Sequence, residues 1–329
     1  MLGYSVKPHK PLLKMSLDQY EGGNYLLLRD EAELARYGFI LCPLVNGDGT
    51  HRFERLNTQH LYLTQVAYGG NLLYDEKLSL GPNSRILDSG TGSGRQTHSI
   101  EFDQRMTFIA TLLGAWLLAL AKELPDSIEL NGIDVSSNNF PGAQPPNIHF
   151  HTGSVTNLPV EWTNQYDFIH QRLLVAALAV SEWPIALSEI FRILKPGGRV
   201  LLVEMDLPRF AMGPVDQQVK RYLEQLWAHF ELMFDCAEQL PRMLKDAGFT
   251  AISSEKRYGP TGRAWGKWGE YGKMSDSGAF KSMTSAIVKA GIVSSTVEYE
   301  QLMENLVNEW DEGDGVQFTY RIVYAQKPL

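Results

Sequence analysis

The chain of 329 residues holds only two cysteines, Cys42 and Cys236. They lie far apart and outside any Cys-x-x-Cys pair, which excludes a disulfide framework and a sulfur-ligated zinc site and fits a reducing compartment. No metal site is expected. The opening segment mixes Lys7, Pro8, Lys10 and Asp18 and lacks the continuous apolar core of a secretory signal, so a cytoplasmic location is expected. The uncharged stretch 106–121 falls short of the ~20 residues of a membrane span and contains Thr107, Thr111 and Gly114. It reads as a buried helix, with no membrane partner. Basic charge is scarce: 30 lysines and arginines face 38 acids, for a net charge of -8. Without a basic block, a nucleic-acid surface is excluded, because such binding rests on neutralising many phosphates. No Gly-x-Ser-x-Gly offers an acyl-transfer nucleophile. What the chain does have is 44% hydrophobic residues against 21% charged ones, enough to bury a core without staples.

From residue 85 onward, strand-like and helix-like segments alternate. Apolar runs at 85–89, 128–134, 147–151, 166–171, 198–205, 250–258 and 316–326 read as strands. Residues 181–194 carry Trp183, Leu187, Ile190, Phe191 and Leu194 at helical spacing and stop at Lys195-Pro-Gly-Gly198. Residues 216–247 read as one long helix closed by Gly248, and 54–69 as the best helix of the N-terminal region. Alternation of this kind predicts an α/β fold: a doubly wound, mostly parallel seven-stranded sheet. The segment 259–315 is too long for a structureless loop and holds amphipathic runs at 278–290 and 297–310, so it is expected to be a helical cap inserted before the last strand. The expected division is therefore an N-terminal segment 1–83, a core 84–258, the cap 259–315 and the last strand with its tail, 316–329.

The first strand ends in Asp88-x-Gly90-x-Gly92-x-Gly94, a turn that lets a ligand approach the backbone. In the dinucleotide fingerprint a further glycine would stand at position 95, which is Arg95, so a pyrophosphate cofactor is disfavoured. Glycine-rich turns also close strands for steric reasons alone. Asp134 ends the second strand, where a carboxylate can accept both hydroxyls of a ribose, or cap the helix that follows. Turn and acid together point to a nucleoside cofactor.

Five ordered segments carry a family resemblance: Ile86-Leu-Asp-Ser-Gly-Thr-Gly-Ser-Gly94, Gly132-Ile-Asp-Val-Ser136, Gly153-Ser-Val-Thr-Asn-Leu-Pro159, Tyr166-Asp-Phe-Ile-His-Gln-Arg172 and Leu194-Lys-Pro-Gly-Gly-Arg-Val200. They resemble the motifs of class I S-adenosylmethionine-dependent methyltransferases. The likeness is strongest to the fungal secondary-metabolism group that includes LaeA-like and UMTA-like proteins, in which a segment similar to Glu54-Arg-Leu-Asn-Thr-Gln-His60 precedes the core. The resemblance implies a Rossmann-like fold, S-adenosylmethionine as cofactor and a small-molecule methyl acceptor. It implies that Gly90, Gly92 and Gly94 form the turn against the methionine part, that Asp88 fixes its amino group, and that Asp134 holds the ribose. Ser154 and Val155 flank the adenine, although the wider family often has an acid at the place of Ser154. His170 and Gln171 face the reacting methyl group, and Tyr25, Gln59 and His60 close the pocket. His170 or His60 is then a candidate general base or a hydrogen-bonding pocket residue.

Two intervals depart from that family. Gly94 and Asp134 stand at roughly twice the usual separation, and excising 95–115 restores it. Excising 34–54 likewise joins two family-like segments, so both read as insertions or as translated introns. Other residues leave alternatives open. His149 and His151 share a strand face without a third metal ligand and read as an edge strand. Trp265, Trp268 and Tyr271 line a substrate pocket or pack the cap. Glu204 and Asp206 read as solvated loop carboxylates rather than groups at a pocket mouth. A protein partner is possible but nothing indicates one; a regulatory protein on this fold and a cyclase that uses the cofactor's positive charge are the competing functions.

Overall fold

The structure is a computed structural model that describes residues 4–5, 50–90, 115–135, 140, 144–209 and 213–329. Seven strands form its main sheet: β1 Arg85–Ser89, β2 Glu129–Asp134, β3 Ile148–Thr152, β4 Tyr166–Arg172, β5 Leu194–Met205, β6 Thr250–Thr261 and β7 Val316–Gln326. Their spatial order is β3-β2-β1-β4-β5-β7-β6. The first five pair in parallel, and β7 runs antiparallel to both of its neighbours. The expected doubly wound α/β sheet is thus present, with the strand order switching between β1 and β4, where such sheets open a crevice at their carboxyl ends.

Alternation along each strand sorts the core into two layers. Ile86, Phe168 and Leu201 belong to one cluster, with Tyr68 and Trp116. Leu87, Ile169 and Leu202 belong to the other, with Trp183, Leu187 and Ile190. Helix α1 Thr50–Tyr68 and the short α2 Ala115–Leu120 contribute Tyr68 and Trp116 to the first layer. On the second face lies α3 Glu182–Ile193, whose Trp183, Ala186, Leu187, Ile190 and Ile193 are buried at helical spacing. The leucine and isoleucines each contribute roughly 1.5–3 kcal/mol on burial.

The long helix expected at 216–247 is two helices, α4 Pro214–His229 and α5 Cys236–Asp246. The break has a packing cause. Glu231 adopts φ 55, and its carbonyl accepts from the backbone N–H of Val180. That turn lays Phe234 edge-on against Trp227. Between β6 and β7 stand three helices rather than two amphipathic runs: α6 Gly266–Lys281, α7 Thr284–Lys289 and α8 Thr296–Glu312. The aromatic segment opens α6, where Trp268 and Tyr271 meet edge to face and Lys267 lies over both rings. Both are half-buried and pack on the core from the insertion. Helix α1 joins this region through Tyr62, whose hydroxyl donates to the carbonyl of Pro260 and whose ring packs edge-on against Tyr320.

β3 is one edge of the sheet; His149 is exposed on it, and His151 bonds Asn131 at 3.0 Å. Among the described residues no cluster of side chains is fit to hold a metal, and no helix is long and apolar enough to cross a membrane. Of the suspected insertions, 34–49 and 95–114 lie outside the described residues, while Thr50 to Glu54 begin α1.

Candidate functional site

Strand register builds the site. Asp88 of β1 is the lateral partner of His170 of β4, and Ser89 is the partner of Gln171. Side chains that leave the same face of adjacent parallel strands must meet. Accordingly, His170 Nδ1 lies 2.8 Å from Asp88 Oδ1, and the Ser89 hydroxyl donates to Gln171 Oε1 at 3.1 Å. Asp88 and His170 belong to the face of Ile86 and Phe168, so both point toward α1 and α2. There the Tyr68 hydroxyl lies 2.7 Å from His170 Nε2, and Trp116 stacks on the imidazole at 4.2 Å and 15°.

His170 is fully buried. Burial pushes its pKa below the ordinary value, against the opposing pull of Asp88. Burial also pushes the Tyr68 hydroxyl up to about 12, so it stays protonated. The consistent arrangement is a relay in which Tyr68 donates to Nε2 and Nδ1–H donates to Asp88. Both ring nitrogens are thereby engaged.

One residue beyond that pair comes Gly90, at φ 76, in the left-handed region that side chains rarely adopt. A Cβ there would lie 2.8 Å from Cδ2 of Leu174. Leu174 and Val175 are held in turn by Glu204, whose two carboxyl oxygens accept their backbone N–H groups at 2.8 and 3.0 Å. Glu204 and Asp206, expected to be solvated, are fully buried. Glu204 lies within β5 and shapes the loop after β4, and Asp206 accepts from Arg321 at 3.1 Å.

Asp134, 3% exposed, stands at the carboxyl end of β2, two strands from His170. Its carbonyl accepts from the N–H of Gly153, which leads into Ser154 and Val155. The Ser154 hydroxyl is spent within its own turn, 2.7 Å from Thr156 Oγ1, and Val155 is buried. From α1, Gln59 and His60 are buried; His60 lies 3.4 Å from Nη2 of Arg172. Burial, the Arg172 charge and then His170 hold the His60 imidazole well below its ordinary value, so it is neutral and its Nδ1 accepts. Gly92, Gly94 and Tyr25 lie outside the described residues. The expected residues that are described therefore gather at the carboxyl ends of β1, β2, β3 and β4, with Gln59 and His60 supplied by α1.

Three residues escaped the sequence reading: Tyr68, Trp116 and Arg172. Arg172 had a signal, a cation closing a buried strand beside His170 and Gln171; the other two look like ordinary core aromatics. Around these strand ends, some buried polar atoms have no partner among the described residues: Gln59 Oε1, Gln171 Nε2, and Nε and Nη1 of Arg172. Orphaned groups at this depth are costly unless a ligand completes them. Their mix of donors and acceptors suits a polar, zwitterionic adenosyl cofactor.

A pH dependence of stability follows from the buried acids. Burial raises Glu204 to about 8, and raises Asp276 to about 7 despite donation from Thr261 and Tyr320. Folded, both hold a proton that the unfolded chain releases at ordinary carboxyl values, so their stabilisation is lost as pH rises through 7 and 8. The neutral, buried His60 and His170 act oppositely, but only below about 6.5, their unfolded value. The melting temperature is therefore expected to fall between pH 6.5 and 8, each acid contributing up to ~1.4 kcal/mol per pH unit. Thermal scans check this, and Asp276→Asn should remove the part of the decline that ends near pH 7.

Comparison with known proteins bears on this arrangement. Residues 70–254, more than half of the chain, match the methyltransferase-domain family. The N-methyltransferase sirN of Leptosphaeria maculans is 28% identical over 298 residues, covering 87% of this chain and 94% of that protein. The N-methyltransferase gliN of Aspergillus fumigatus is 25% identical over 286 residues, covering 84% and 93%. Among solved structures, phosphoethanolamine N-methyltransferase 2 of Haemonchus contortus superposes with a TM-score of 0.45 at 15% identity. That match covers 83% of this chain, which spans 53% of the Haemonchus chain.

Proposed function

Since this chain belongs to the methyltransferase-domain family, we propose that it transfers a methyl group from S-adenosylmethionine to a nitrogen of a small organic molecule. It is an S-adenosylmethionine-dependent methyltransferase with a Rossmann-like core. The nitrogen acceptor is supported by the two fungal relatives, both N-methyltransferases by name. The observation that carries the reading is the row of groups at the carboxyl ends of adjacent strands: Gly90 and Asp88 on β1, Asp134 on β2, His170 and Gln171 on β4.

When bound, the cofactor supplies a methyl on a positively charged sulfur, which departs as a neutral thioether. The protein's own work is to hold and align. Asp134 receives the ribose hydroxyls, and the segment of Ser154 and Val155 flanks the adenine. Asp88 receives the ammonium of the methionine end. His170, enclosed and engaged at both nitrogens, serves as a positioning residue for Asp88 rather than as a base. Neutral His60, with Nδ1 taken by Arg172, lines the pocket from α1. A neutral amine carries its own lone pair, so transfer to nitrogen asks chiefly for near contact in line and for the exclusion of water.

The test is incubation of the full chain with methyl-labelled cofactor and a panel of small amines, amides, alcohols and carbon acids. Label is expected on nitrogen. Cofactor binding without transfer to any member would count against this reading and for the regulatory or cyclase alternatives; transfer to oxygen or carbon alone would overturn the choice of atom.

A further inference from the structure

Arg172 closes β4 with its side chain fully buried. Nη2 reaches Nδ1 of neutral His60 at 3.4 Å, and Nε and Nη1 have no partner among the described residues. A guanidinium remains charged at any pH that a protein meets, and burying one without an anion is among the costliest arrangements in a fold. The other buried arginine shows the contrast: Arg199 is closed by both oxygens of Asp75. Nearby acids are otherwise engaged, Asp88 with His170 and Glu204 with the backbone of Leu174 and Val175. Arg172 therefore awaits an anion that the described chain does not supply.

Its place selects which anion. Phe168, His170 and Arg172 alternate onto one face of β4, the face from which Asp88 leaves β1. Carrying the register one residue past Ser89 and Gln171 brings Arg172 level with Gly90. Asp134 and the segment 153–155 lie on the far side of β1, and they take the adenosyl half. At β1 and β4 a buried acid, Asp88, thus stands beside a buried cation, Arg172, two residues along the neighbouring strand. That pairing is complementary to an α-amino acid zwitterion.

We propose that Arg172 receives the α-carboxylate of the cofactor's methionine end, while Asp88 takes the ammonium. The inference rests on the cofactor cradle proposed above. His60 then has a second role: as a neutral acceptor it orients the guanidinium without competing for the anion.

Calorimetry on the full chain tests it, with S-adenosylhomocysteine and its decarboxylated counterpart, the adenosyl thiopropylamine, as probes. The wild-type chain is expected to prefer the carboxylate-bearing probe by about 30-fold, the scale of one buried charge-assisted pair. In Arg172→Gln and Arg172→Met that preference collapses to within about threefold, because the first probe weakens while the second keeps its affinity. Arg172→Lys, which keeps a cation, retains part of the preference and serves if the neutral variants do not fold. A preference that survives in the variants overturns the proposal, and sends Arg172 to a substrate anion instead. Equal loss of both probes also overturns it, leaving Arg172 a purely structural role. Failure of the wild type to bind either probe would defeat the cradle itself, a result distinct from both.

Discussion

Asp134→Ala is expected to weaken S-adenosylhomocysteine binding by about 100-fold or more, with the melting temperature of the ligand-free chain changed by only a few degrees. The carboxylate is buried at the end of β2, and in the proposed cradle it receives both ribose hydroxyls. Each such charge-assisted bond is worth about 1.5–3 kcal/mol, and ~2.7 kcal/mol already amounts to 100-fold. The backbone contact at this point runs from the N–H of Gly153 to the carbonyl of Asp134, so the substitution leaves it in place. Calorimetric titration beside a thermal melt separates two roles. A residue serving only as a helix cap would lose about 0.5–2 kcal/mol of stability and no affinity.

A larger effect on the fold is expected at Asp88. Asp88→Leu removes the acceptor of His170 Nδ1 and strands a donor in a fully buried stack between Trp116 and Tyr68. Leaving one donor unsatisfied costs ~1–3 kcal/mol, and members of one network lose more together than singly. The expected result is a loss of about 2–4 kcal/mol in denaturant unfolding, with cofactor binding abolished. Asp88→Asn keeps an oxygen for His170 and loses only the charge. It should retain the fold to within about 1 kcal/mol while binding S-adenosylhomocysteine roughly tenfold more weakly. If both substitutions lowered stability and affinity alike, Asp88 would be a structural acid rather than the ammonium site.

The strands were legible because each buried run ends in a turn and alternates between two packed faces. β1, β4 and β7 begin where the sequence predicts, and Asp134 ends β2 as expected. The interruption of the helix at 230–235 was not legible. Phe230, Met233 and Phe234 continue the apolar pattern, and only the packing of Phe234 on Trp227 decides that the chain must turn. Glu204 and Asp206 misled for the opposite reason: acids after a strand read as solvated, and only the length of β5 and the loop bonded to Glu204 bury them. The enclosure of His170 was hidden by distance, since its partner Tyr68 lies 102 positions away. Periodicity reports which face a side chain takes; it does not report what another element will lay upon it.

The reversed direction of β7 has one more consequence. Thr261 and Val316, the residues from which the helical insertion leaves and returns, are paired with each other across β6 and β7. Because β7 is antiparallel to β5, with Met205 level with Tyr320, this junction sits at the same edge as the carboxyl ends of the parallel strands. The insertion is therefore hemmed shut at its base. Doubling its length would cost only ~0.6 kcal/mol of closure entropy, provided that Asp276, Phe280 and Trp310 keep their contacts with Thr261, Phe318 and Tyr320. Length can therefore be added at the outer loops of the insertion without parting the two strand ends that anchor it.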